Sequence, residues 1–224
     1  MNFLSHYYFD RNKNNPYKVF GMLLPDLIKN ADKNWTIHPE KHSGKFLTNT
    51  NQEAILKGWK RHLEVDRIFH SSSFFLHHQH QIKLVLREEL LNSPVKPFFL
   101  GHISLELLLD SILIAEKLLS IEKLYSQLAL VKESEIRIFL QLNKIANEDK
   151  FLAFFDRFIK EQYLYSYADD KKITYALKRI CMRLWENPFS EEQETAITDR
   201  LIKYKIKLRE DFIIIFDQIS AQIN

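Results

Sequence analysis

His62, Asp66 and His70 stand four residues apart in succession, so on an α-helix they would line one stripe, one turn above the next. Two imidazoles and a carboxylate on one face are the donor types that divalent metal ions take. A second segment repeats the spacing. His102, Glu106 and Asp110 lie within Phe98-Phe99-Leu100-Gly101-His102-Ile103-Ser104-Leu105-Glu106-Leu107-Leu108-Leu109-Asp110. Its leucines imply burial on most sides, and a buried carboxylate requires a cation or an ion-pair partner, here an arginine such as Arg61, Arg67 or Arg183. The bland alternative for the first stripe is a solvated face on which Asp66 pairs with Lys or Arg. All nine histidines fall within the first 102 residues, which also hold His6, in Asn2-Phe3-Leu4-Ser5-His6, and Asp26, in Leu23-Leu24-Pro25-Asp26. Pro25 and Asp26 read equally well as a turn with a capping aspartate. His77, His78 and His80 point to different helix faces with no carboxylate in register and are assigned to the surface, while His38 and His42 sit in a polar loop.

Four glycines and six prolines in 224 residues leave little turn chemistry, and 46% hydrophobic residues suffice for a sizeable core. The expectation is an all-α, single-domain helical bundle over 1–224, with a metal-site half at 1–120 and a scaffold half at 121–224. Helices are expected near 2–9, 17–29, 50–69, from Ser73 toward Leu91, and at 98–119, 121–130, 133–147, 149–164, 170–186 and 190–222. The polar stretch 30–51 reads as a loop, a candidate lid.

A single cysteine excludes an intramolecular disulfide framework, and with no basic leader before His6 the expected location is cytoplasmic. The apolar stretch 98–119 is interrupted by charges, so a buried helix is expected in preference to a membrane span. A net charge of +3 without a dense basic stripe gives no reason to expect a nucleic-acid partner.

Together, Met1-Asn2-Phe3-Leu4-Ser5-His6, Gly21-Met22-Leu23-Leu24-Pro25-Asp26 and His62-Leu63-Glu64-Val65-Asp66-Arg67-Ile68-Phe69-His70 resemble the acyl-carrier-protein phosphodiesterase family, which is related to the HD-domain metal phosphohydrolases. Tyr163 to Tyr167 and Ala176 to Arg183 resemble its C-terminal region. Where that family has a second aspartate this chain has His70, and the His102 to Asp110 segment replaces its later Asp-His pair. The resemblance implies an HD-like bundle with one metal site between helices, held by His6, Asp26, His62, Asp66, His70 and His102. It also implies one or two divalent ions, manganese foremost with Fe2+, Mg2+ or Zn2+ as alternatives, and Asp26 or Glu106 as general base. The substrate would be acyl-carrier protein bearing phosphopantetheine, received on a basic surface from Lys41, Lys45, Lys57, Lys60, Arg61 and Arg67. Hydrolysis of a nucleotide or other small phosphoester, and a non-catalytic helical interaction protein, are the alternatives.

Overall fold

The computed structural model describes residues 1–223, and every regular element among them is helical. The α-helices are α1 (Phe3–Tyr8), α2 (Pro16–Ala31), α3 (Thr50–Ser71), α4 (Ser73–Leu86), α5 (Pro97–Ala115), α6 (Ile121–Ala129), α7 (Glu133–Leu142), α8 (Glu148–Glu161), α9 (Asp170–Cys181), α10 (Glu191–Leu208) and α11 (Ile213–Gln222). The 30–51 stretch contains a 3-10 segment, Pro39–Phe46.

Side chains that accept orphan backbone N–H groups start many of the helices. Asn15 caps α2 ahead of Pro16, Ser72 caps α4, Asn147 caps α8, Asp169 caps α9, and Ser190 with Gln193 forms a reciprocal capping box on α10. The ends are made differently. Asn92, Lys117, Lys144, Gln162 and Asn187 turn the chain in left-handed backbone conformations although none is glycine. These positions cost about 1 kcal/mol each in a non-glycine residue, and Lys117, Lys144 and Gln162 stop α5, α7 and α8 short of the expected 119, 147 and 164.

α2 runs through Pro25, in line with the helix expected at 17–29, so Asp26 is a helical residue and the alternative of a turn with a capping aspartate falls away. The expected helix 190–222 is two helices, because after Leu208 the hydrogen bonds tighten to i→i−3 (Glu210 N to Lys207 O, Asp211 N to Leu208 O).

The chain forms two compact units. One comprises residues 6–66 and 119–164, the other residues 1–5, 67–118 and 165 onward, so both are discontinuous and the division does not fall at residue 120. In the 6–66 unit, α2 packs on α6 and α8, with Phe20 against Phe151 and Phe155. In the 67–118 unit, α4 and α5 form the most extensive pairing, and α9 and α10 pack on them. α5 is long and apolar enough to cross a membrane, but most of it is buried in its unit, as expected of a core helix.

Contrary to its surface assignment, His78 is buried in the 67–118 unit. Its Nδ1 lies 2.8 Å from the Tyr204 hydroxyl and its Nε2 3.2 Å from Asp211 Oδ2, at the turn between α10 and α11. Burial depresses the imidazole pKa, against the opposing pull of Asp211. A folded-state pKa below the unfolded value means that the unfolded chain binds the extra proton, so stability falls as pH drops below about 6.5. In urea denaturation between pH 7 and 5, His78→Gln is expected to show a shallower loss of stability than wild type. Equal slopes would contradict the assignment.

Candidate metal centres

Five of the six expected ligands fall into two groups, His6, His62 and Asp66 inside one unit and His70 and His102 inside the other.

In the 6–66 unit, His6, His62 and Asp66 bring one donor atom each to within 4.8 Å of one another. His62 is placed by an unusually close meeting of α2 and α3. A Cβ on Gly21 would stand 2.0 Å from the Ile55 carbonyl oxygen, and one on Gly58 would stand 2.1 Å from the Lys18 carbonyl oxygen. Only glycine permits such backbone contact. One turn after Gly58, His62 Nδ1 donates to the Met22 carbonyl at 2.8 Å. This bond fixes Nδ1 as a protonated nitrogen and turns Nε2 toward Asp66 Oδ2 at 3.5 Å.

His6 is fully buried and stacks on His62, with ring centroids 3.8 Å apart. Its Nε2 lies 3.2 Å from Asp66 Oδ1, a close contact that misses hydrogen-bond alignment, and neither ring nitrogen has a hydrogen bond. An imidazole buried in that state forfeits about 1–3 kcal/mol per unsatisfied polar group unless something else satisfies it. A cation shared with Asp66 would satisfy Nε2.

The charge states of His6 and Asp66 suit ligation. Burial, reinforced by the neighbouring His62, pushes His6 down to about 3, so the ring is neutral. For Asp66, burial acts upward, but the facing His6 and His62 outweigh it and hold the carboxyl far below the ordinary range. Burial would lower His62, but the charges of Asp26 and Asp66 outweigh it and raise it, so an ion there would compete with a proton. A neutral His6 and an ionised Asp66 are the forms that a divalent transition ion takes.

Asp26 is not one of the grouped donors. It acts on His62 through its charge and lines a cleft of about 490 Å³ with Lys29, Trp35, His38, Lys41 and Trp59. That volume suits a small organic ligand. The 30–51 stretch forms part of its wall, held by the Trp59 Nε1 hydrogen bond to Glu40 Oε2 at 3.0 Å and by Phe46 packed against Phe139. In the same unit, Lys18, Lys57, Lys60 and Arg61 surround a second, shallower depression with Glu64.

In the 67–118 unit, His70 from the end of α3 meets His102 and Glu106 of α5. Asp110 has a different task. Buried completely, it accepts from Asn2 Nδ2, Leu4 N, Ser5 N and Ser5 Oγ at 2.6 to 3.0 Å, and so caps the start of α1 from a remote helix. Burial pushes its carboxyl up to about 7, against the downward pull of the Ser5 and Leu4 donors.

Sequence spacing placed His62 and Asp66 on one helix face, His6 joined them only through the family resemblance, and the structure brings the three together. The spacing missed the two glycines that set the α2–α3 approach, although Gly58 stands four residues before His62 and the chain has only four glycines. The chain matches no family model, no curated protein and no solved structure.

Proposed function

We propose that this chain is a metal-dependent phosphodiester hydrolase that releases 4′-phosphopantetheine from holo-acyl-carrier protein. The observation that carries the proposal is the His6–His62–Asp66 triad, in which the buried His6 has two ring nitrogens without hydrogen bonds and the buried His62 is oriented by the Met22 carbonyl. The family resemblance of the first 70 residues supplies the substrate.

When bound by the triad, a divalent ion supplies Lewis-acid activation of water and offsets charge on the phosphoryl oxygens. The protein's own groups do the rest. Asp26, at the cleft wall, accepts the proton of the attacking water and returns it to the departing serine oxygen. The new bond joins the water oxygen to phosphorus, and the bond that breaks is that from phosphorus to the carrier serine oxygen. Lys29 and Lys41 place positive charge on the cleft wall for the phosphate, while Trp35 and Trp59 offer apolar surface to the pantetheine arm.

Mass spectrometry of holo-acyl-carrier protein incubated with the protein and manganese tests the proposal. Loss of phosphopantetheine with wild type, and retention with His62→Ala, is the expected result. Retention in both cases rejects it.

The depression among Lys18, Lys57, Lys60 and Arg61 supports an acidic partner by charge complementarity. Lys57→Glu combined with Lys60→Glu is expected to raise KM for the carrier protein about tenfold, with kcat nearly unchanged, in steady-state kinetics at low salt. The size of the cleft also favours a second reading, hydrolysis of a free small phosphoester. Turnover of a generic phosphodiester at a rate indifferent to these two charge reversals would establish that reading in place of the first.

A further inference from the structure

His70 Nε2, His102 Nε2 and Glu106 Oε1 form a nearly equilateral triangle. The two nitrogens are 3.2 Å apart, and the oxygen lies 3.2 Å from His70 and 3.0 Å from His102. Hydrogen bonding alone satisfies such a triangle poorly. If both rings carry a proton on Nε2, two positive hydrogens crowd each other beside one oxygen. If only one does, a lone pair is left facing either the other nitrogen or the carboxylate. A divalent ion over the triangle satisfies all three atoms together. Three ligands about 2.0–2.2 Å from a tetrahedral or octahedral ion are separated by about 2.8–3.6 Å, which brackets the observed edges.

We infer that His70, His102 and Glu106 constitute a second binding site, of the two-histidine, one-carboxylate kind, for a divalent transition ion of the zinc class. Its donors all lie within the 67–118 unit, and it uses none of the His6–His62–Asp66 ligands. Two imidazoles in three ligands select against magnesium and calcium.

The surroundings hold the triangle before any ion binds. Phe75 of α4 meets both rings edge-on, at 4.9 Å from His70 and 4.9 Å from His102, and Phe69 packs on Phe75 and on His70. α4 and α5 come together at Gly101, where a Cβ would stand 2.6 Å from the Gln79 carbonyl oxygen, and the next residue is His102. Glu106 also has the Met1 amino nitrogen 3.1 Å from the same oxygen, a cation with which a bound ion competes. The side chains of His70 and His102 are 33% and 40% exposed, so the ion has a path from solvent and a coordination position open to water.

This assignment is independent of the proposed hydrolase activity, since its readout is metal binding. Zinc binding is measured on full-length His62→Ala protein, in which the other triad is disabled, by equilibrium dialysis followed by elemental analysis. One zinc per chain is expected. Adding His102→Ala, or Glu106→Gln, is expected to weaken binding by more than about a hundredfold, exceeding the loss seen when only a supporting group is removed. Circular dichroism verifies that each variant is folded, and His102→Asn, at a partly exposed position, substitutes if the alanine variant is not. No zinc on the His62→Ala protein, or zinc retained at unchanged affinity by the folded His102 and Glu106 variants, overturns the inference. Carrier protein that stays uncleaved by the wild-type protein with manganese, while the His62→Ala protein binds this zinc, rejects the hydrolase and leaves the site standing.

Discussion

Asp66→Ala is expected to reduce phosphodiester hydrolysis by about a thousandfold or more, on the order of 4 kcal/mol of transition-state stabilisation, while the protein stays folded. Asp66 is the only carboxylate in its triad and lies close to both imidazoles, at 3.2 Å from His6 and 3.5 Å from His62. Without it, two neutral rings remain to hold a dication, and affinity falls with the loss of the one formal negative charge among the donors. The fold has little reason to suffer, because the Asp66 side chain is 31% exposed and removing it leaves neutral rings whose burial is already tolerated. Asp66→Asn separates charge from shape: the amide keeps the volume and one acceptor oxygen, so comparable loss in both variants assigns the effect to charge. Rates measured across a manganese titration provide the check. Rates near wild type for either variant would show that the triad is not the reaction centre.

Gly58→Ala is expected to destabilise the protein by about 3 kcal/mol or more and to weaken metal binding at the triad in the molecules that remain folded. Overpacking a core by a methylene costs about 1–3 kcal/mol where side chains can shift. Here the added methyl group would meet backbone, 2.1 Å from the Lys18 carbonyl oxygen and 2.6 Å from the Met22 nitrogen, so a whole helix must move. The helix it displaces carries the Met22 carbonyl that orients His62. Gly44 is the control, since a Cβ there meets nothing within 4 Å. Urea denaturation of Gly58→Ala beside Gly44→Ala measures the difference, and equal stability of the two would contradict the close approach of α2 and α3.

Helix starts were legible because they are encoded locally: Asn15-Pro16, Ser72 and Ser190 with Gln193 each satisfy the first N–H groups with a side chain visible in the sequence. Helix ends were less so. Sequence patterns look for glycine or proline there, whereas Lys117, Lys144 and Gln162 take left-handed conformations because the packing of the flanking helices favours the turn more than the residue resists it. The break at 209–212 has no breaker residue, and Asp211 beside the buried His78 is a long-range pairing that no local pattern announces.

The candidate site divides in the same way. The four-residue spacing of His62 and Asp66 is a property of one helix, and it survived intact. His70, the next residue on the stripe, is grouped with His102 and Glu106 in the other unit. Asp110 shared the i+8 spacing of the α5 segment and was expected beside His102 and Glu106. Its four hydrogen bonds to residues 2–5 instead make it a helix cap, a role set by a contact more than a hundred residues away in sequence.

The central claim is that the buried triad of the 6–66 unit is a divalent-metal site, and anomalous diffraction from crystals of the protein grown with manganese tests it most directly. The account predicts a manganese peak about 2.0–2.3 Å from His6 Nε2, His62 Nε2 and an Asp66 carboxylate oxygen. Well-ordered density for these three side chains, with no anomalous peak among them at saturating manganese, would contradict it.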